Sequence, residues 1–173
     1  SPEYEMVFNA KMNLARSLES GSRDTQKMRQ KLLKMTKDDK NKEYLDQIYF
    51  TLAEMDINNS DTLAAIDNYL LSTVNSIENN TQKSLSFLAL AKIDYNRSFY
   101  KDAKINYDST LFYMDEDFRE YESAKEKHEI LQELVYHLDV ISLQDSLQAL
   151  AALPASELSQ LISQLIQAEV KKE

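Results

Sequence analysis

The residues best able to do chemistry in this sequence are two histidines, His128 and His137, and a run of acids from Asp115 to Glu122. Nine residues apart on one helix, the histidines stand about half a turn out of phase and cannot share a metal. Glu133 lies four before His137, so those two can pair on one helix face, yet zinc needs three or four ligands. Asp115, Glu116 and Asp117, with Glu120 and Glu122, could attract calcium. They lack the spaced Asp/Asn and the glycine of a calcium loop, and they read as a solvated helix start. No serine stands at a glycine elbow, and neither histidine has an evident nucleophile partner. The six methionines are scattered as gap-filling core. The expectation is a protein with no enzymatic activity and with no catalytic, cofactor or metal site.

Composition narrows the classes further. Among 173 residues there is one glycine, Gly21, and no cysteine or tryptophan. Phosphate-cradling loops need several glycines close together, so dinucleotide fingerprints and P-loops are excluded. Primed hairpin turns also depend on glycine, which disfavours a many-stranded sheet. Without cysteine there is no disulfide, thiol nucleophile or thiolate zinc site, and the redox compartment stays open. A net charge of −9, with basic residues interleaved among acids, disfavours nucleic acid and anionic membranes. Apolar runs such as Phe87 to Ala91 are far short of the roughly 20 residues of a membrane span. No charged-then-apolar leader opens the sequence. It begins in helical pattern, and the expectation is an internal piece of a longer protein.

The elements that must carry these residues are helices. Tyr4, Phe8, Met12, Ala15 and Leu18 keep a three- and four-residue step, and Gly21 is the left-handed residue that closes the helix. Met28, Leu32, Leu33 and Met35 continue the period until Lys37–Lys42, a polar turn. Tyr44–Met55 and Leu63–Val74 predict two more helices, split by Asn58-Asn59-Ser60-Asp61, whose side chains bond locally to backbone. Asn79-Asn80 marks the next break.

The chain also resembles itself. Leu52, Ala53, Asp56, Asn58, Ser60, Ala65 and Tyr69 recur as Leu90, Ala91, Asp94, Asn96, Ser98, Ala103 and Tyr107, each 38 residues on. Ser72 is matched by Thr110 in the same register. The unit is a repeated helical hairpin. Its position types resemble the tetratricopeptide repeat: Tyr49, Leu52, Ala53, Ala65, Tyr69 and Ser72 fill the slots once. Phe87, Leu90, Ala91, Ala103, Tyr107 and Thr110 fill them again. Small residues let two helices approach closely, and the aromatic fills the gap to the next hairpin. Asp56 and Asp94 stand where the first helix usually has an aromatic, with Ile57 and Tyr95 one place on. The closing proline is missing, and the period is 38 where about 34 is usual.

A second resemblance spans nearly the whole chain. Asp38-Asp39-Lys40-Asn41-Lys42-Glu43-Tyr44-Leu45-Asp46-Gln47-Ile48-Tyr49 is similar to the PorW/SprE family of Bacteroidota. So are Tyr107-Asp108-Ser109-Thr110-Leu111 and Leu143-Gln144-Asp145-Ser146-Leu147-Gln148 with Leu150-Ala151. Members are tetratricopeptide-repeat lipoproteins at the periplasmic face of the outer membrane. They serve type IX protein secretion and, in gliding species, motility. The resemblance implies a non-enzymatic scaffold whose partners are other proteins of the secretion machinery. It also implies a lipid-bearing cysteine and signal peptide outside this sequence. Asp61-Thr62-Leu63, Asp108-Ser109-Thr110 and Asp145-Ser146-Leu147 resemble O-glycan acceptor triplets of periplasmic Bacteroidota proteins. Helix capping and helix polarity explain such triplets without sugar, and that is the reading taken for Asp108, which falls inside a helix. Two other readings stand beside the scaffold. One is a generic peptide-binding adaptor. The other is an outer-membrane glycan-capture lipoprotein, against which the sparse, core-spaced aromatics speak.

The fold class that follows is all-α: a solenoid of tetratricopeptide-like hairpins over residues 1–139, clearest at about 44–78 and 82–115, with capping helices over 140–173. Asp117–Asp139 predicts one long helix. Ser142-x-x-Asp145 predicts the capped start of a short one, and Pro154 the start of a last one. Its seam of Leu158, Leu161, Ile162, Leu165 and Ile166 either caps the solenoid or lies against a partner or downstream segment. First helices of such hairpins line a concave face. The positions facing it are Gln47, Phe50, Glu54, Ile57 and Asn58, then Leu85, Leu88, Lys92, Tyr95 and Asn96 one period on, with burial by neighbouring helices an equal reading for Leu85 and Leu88. The predicted partner-binding residues are Gln47, Phe50, Glu54, Ile57, Lys92, Tyr95 and Asn96.

Overall fold

Local sequence dictates helices throughout, and the computed structural model, which describes residues 2–171, is all-helical. It holds α1 (Pro2–Ser17), α2 (Arg23–Met35), a 3-10 helix (Asp39–Tyr44), α3 (Leu45–Asn58), α4 (Thr62–Asn75), α5 (Asn80–Asn96), α6 (Tyr100–Tyr113), α7 (Tyr121–Ala151) and α8 (Ala155–Val170). No strand occurs among the described residues. Two compact units are present, Ser1–Gln132 and Glu133–Glu173. The division falls inside α7.

Short polar side chains end and start the helices. Ser22, Asp61 and Asn79 accept from the backbone N–H three residues on, at 3.1 Å each, and so cap α2, α4 and α5. Gly21 takes the left-handed conformation, with φ of 74°. The hairpin turns lack glycine, and serines adopt that conformation instead: Ser60 at φ 61° and Ser98 at φ 62°. Asp61 N–H donates to Asp56 C=O, and Phe99 N–H to Asp94 C=O, both at 2.9 Å. The sequence repeat is thus also a backbone repeat. Asp56 and Asp94 have a shared task. Asn68 Nδ2 donates to Asp56 at 2.7 Å, and Asn106 Nδ2 to Asp94 at 2.8 Å, tying the end of each first helix to its second.

Packing within the first unit relies on small side chains. Ala53, Ala65, Ala91 and Ala103 are wholly buried, as are Ser72 and Thr110. Buried hydroxyls need partners, and these have them: Thr110 bonds Asn106 C=O at 2.8 Å, and Ser72 bonds Asp46 C=O at 2.7 Å while facing Ser86 at 2.8 Å. Around this seam Phe8, Met12, Ala15, Leu32, Ile48, Leu52 and Met55 form one core cluster, and Ala53, Ala65, Tyr69 and Leu90 another. Each large aliphatic buried there contributes about 1.5–3 kcal/mol.

One expectation fails. Ser142 does not start a helix; α7 runs unbroken to Ala151. Ser146 hydroxyl bonds Ser142 C=O at 2.8 Å, so the serines satisfy themselves within the helix and do not compete with it. No glycine or proline interrupts Tyr121–Ala151 either. The long helix also begins later than expected, at Tyr121, because Asp115–Glu120 folds into turns closed by Phe118 N–H to Asp115 C=O at 3.0 Å and Tyr121 N–H to Phe118 C=O at 2.9 Å. In the second unit, no described residue is buried.

Candidate functional site

Adjacent first helices α1, α3 and α5 set the candidate surface. Buried Ala15, Ala53 and Ala91 occupy one register position at 38-residue steps. The residue after each alanine therefore shares a face: Arg16, Glu54 and Lys92, with alternating charge. Arg16 Nε meets Glu54 Oε2 at 2.5 Å. Burial raises the Glu54 carboxyl above its ordinary value, and Arg16 only partly offsets this. Lys92 is exposed at the end of the row.

Aromatic groups flank the charges. Phe50 is half-buried, its ring edge-on to Tyr69 at 5.3 Å with the Arg16 guanidinium 5.7 Å from its centroid. Tyr95 is half-buried too, edge-on to Tyr100 at 5.8 Å, and Lys127 Nζ lies 5.1 Å from its centroid. Such cation–aromatic contacts hold both partners in place. Gln47 and Leu85 are half-buried; Ile57, Asn58 and Asn96 are exposed; Leu88 is buried, under a small cleft also lined by Lys92, Tyr107, Glu120, Ser123 and Ala124. The row offers both signs of charge, amides and two tethered aromatic rings, which suits recognition of a polypeptide segment.

Several polar groups were not singled out from sequence. Arg16 and Arg29 belong to α1 and α2, where the repeat has lost most of its identities and keeps Leu14-Ala15. The signal was present in Ala15, one period before Ala53. Arg29 Nε donates to Asp56 at 3.0 Å, joining α2 to the Asp56–Asn68 pair. Asp46 is buried, accepting from Ser76 hydroxyl at 3.3 Å and Asn79 Nδ2 at 3.0 Å. Burial raises its carboxyl more than these bonds and the Gln47 N–H lower it. It sits at the edge of an open depression of about 590 Å³ beside Lys42, Glu43, Asn75, Ile77, Glu78 and Asn79.

The residues with sequence-level chemistry are separated. His128 pairs with Asp108, and its hydrogen bond with that of Lys104 outweighs burial to hold the Asp108 carboxyl below its ordinary value. His137 stands on exposed surface, 3.9 Å from Glu133. Among the described residues no three histidines, aspartates or glutamates gather around a point that could hold a metal. Of the three triplets, Asp61 caps α4, while Asp108-Ser109-Thr110 lies inside α6 with Thr110 buried. Asp145-Ser146-Leu147 lies within α7. No protein-family model matches this chain, and no curated protein matches it.

Proposed function

We propose that this chain is a non-enzymatic scaffold of tetratricopeptide-like hairpins. Its first helices hold other proteins along the row that runs from Arg16 through Glu54 to Lys92 and Tyr95. The observation that carries this reading is that row: alternating charge in one register, flanked by tethered aromatic rings, on helices whose repeat is kept in both sequence and backbone. The similarity of Asp38–Tyr49, Tyr107–Leu111 and Leu143–Ala151 to the PorW/SprE family supports reading the scaffold as one that works at the periplasmic face of the outer membrane. There it serves type IX protein secretion and gliding motility, in a protein anchored by lipid. No helix among the described residues is long and apolar enough to cross a membrane.

The test is capture of partners from the native periplasm by the full-length lipoprotein. A Lys92→Glu, Tyr95→Ala double variant should lose most of the captured protein while keeping its helical signal and a cooperative melt, since Tyr95 packs on Tyr100 and Lys127 and lies in neither core cluster. Full capture by that variant places the interface elsewhere. Changing Phe50 to Ala, which the sequence suggests as an equivalent probe, is unsuitable. Phe50 packs on Tyr69 and the second core cluster, so its loss would lower stability as well.

A further inference from the structure

The second unit, Glu133–Glu173, carries a surface that the scaffold reading does not use. Tyr136, Val140, Leu143, Leu147 and Leu150 follow one another along α7 at alternating steps of four and three. That is the spacing of a coiled-coil seam. The five side chains are 65, 40, 57, 49 and 38% exposed, so the seam lies open. On α8, Ile162, Leu165 and Ile166 are 49, 62 and 59% exposed, with Leu158 and Leu161 half-buried beside them. A helix of this kind draws its stability from covering its apolar face, and here nothing described covers it.

We propose that these two helices are a self-association element, and that the occupant of the seam is the same element of a second copy of this chain. Three observations favour a second copy. The first is the pattern itself, since a four-three seam interlocks with another seam of the same spacing. The second is charge. Between residues 140 and 168 only Asp145 and Glu157 are charged, and Asp145 projects from the side of α7 opposite Leu143 and Leu147. From Val140 onward, two copies of a chain that is acidic overall can therefore meet here without setting like charges against each other. A basic or acidic partner would find nothing to pair with.

The third observation is area. Fully burying one large aliphatic side chain removes about 60–120 Å² of apolar surface, by the ratio of transfer free energy to area. The open side chains of the two stripes, each roughly half exposed, thus supply several hundred Å² per copy. The apolar share of a standard interface, about 800 Å² per partner, is of that size. The flanking Gln144, Gln148, Gln160 and Gln164 furnish an uncharged polar rim.

Sedimentation equilibrium of the full chain over about 1–100 µM tests this by mass action. The wild type should run at twice the chain mass. Leu147→Glu and Leu165→Glu should each run at the chain mass, a weakening of at least about 100-fold. Both should keep the cooperative melt of the first unit. Leu147→Ala should weaken association about tenfold without introducing a charge. Leu70→Glu, at an exposed apolar position on α4, should remain dimeric. A wild type at any other mass, a doubled mass kept by either glutamate variant of the seam, or a monomeric Leu70→Glu protein each overturns the proposal.

Discussion

The hairpins α3–α4 and α5–α6 share a frame and diverge on nearly everything attached to it. Each has the aspartate–asparagine tie, the left-handed serine, two buried alanines, a buried tyrosine and a small hydroxyl residue, at equivalent positions 38 residues apart. Beyond these, equivalent positions part company. Buried Asp46 in the first hairpin is buried Ser84 in the second, and Ser76 is Met114. Arg29 reaches Asp56 from α2, whereas its counterpart one period on, in α4, is exposed Asp67. The outer face of α4 shows Leu63, Leu70 and Val74, with Ile77 just past its end; the same positions of α6 are Lys101, Asp108 and Phe112, with Asp115 just past its end. The difference teaches that close helix contact and turn geometry fix a handful of positions. The remainder are free to acquire separate surfaces.

The most damaging test strikes the shared frame in both hairpins. Ala65 and Ala103 have no exposed surface. Ala65→Glu and Ala103→Glu should each destabilise by about 4 kcal/mol or more, because a longer side chain overpacks the contact and carries a buried charge. Asp67→Glu, on the exposed side of α4, should stay within about 0.5 kcal/mol. Thermal melts compare the three. An Ala103→Glu protein that melts like wild type, beside a collapsed Ala65→Glu protein, would show that the two frames are not equivalent.

How much of this was legible follows from where identity persists. Helices, breaks and capping residues are local matters, and Asn58–Asp61 and Asn79 announced them. The repeat named the contact positions because close approach tolerates only alanine, serine or threonine there. The purpose of Asp56 and Asp94 was not legible. Their partners Asn68 and Asn106 recur at the same period, but one pair of polar residues twelve apart looks like any other. Ser142 misled, since a serine three before an acid has the same appearance whether it caps a helix or bonds back into one. At the candidate surface, the charges of Glu54 and Lys92 were visible. Arg16 was not, because α1 keeps only Leu14 and Ala15 from the repeat.

A smaller effect should separate the hairpins. Asp56 is 4% exposed while Arg29 is 34% exposed, a half-wet pair whose loss leaves a buried carboxylate with Asn68 as its remaining side-chain partner. Arg29→Ala should cost about 2 kcal/mol in urea denaturation, below the full penalty for a deeply buried pair. Asp94→Asn retains an oxygen to accept from Asn106 and should shift stability by no more than about 0.5 kcal/mol. Equal losses would mean that the cation from α2 does not distinguish the two.

The buried acid gives a pH-dependent contrast. The Asp46 carboxyl is raised from its ordinary 3.8 by burial. A raised carboxyl contributes stability that is complete below the unfolded value and is lost as pH rises through the folded value. Wild type should therefore gain on Asp46→Asn as pH falls from neutral toward the ordinary carboxyl value. Taking the difference cancels Glu54 and Asp94, whose carboxyls burial also raises. Urea midpoints of the two proteins at several pH values read the gap. A gap that does not change in favour of wild type would mean that Asp46 is as well solvated as Ser84 is well packed.

The smallest effect returns to the turns. A left-handed conformation costs an ordinary residue about 1–2 kcal/mol, while glycine adds unfolded-state freedom worth about 0.5–1 kcal/mol. Ser60→Gly should accordingly stabilise by about 0.5 kcal/mol, and Ser98→Gly by slightly less. The reason for the inequality is local: Tyr100 hydroxyl donates to Ser98 Oγ at 3.4 Å, a weak bond that the second substitution removes. The two turns are one period apart in sequence and share no partner, so the gains should add in the double variant. Urea midpoints resolve changes of this size when the dependence on denaturant is unaltered. If Ser60→Gly stabilises and Ser98→Gly destabilises, the Tyr100 bond outweighs the backbone strain, and the second turn is held by its side chains where the first is held by its backbone.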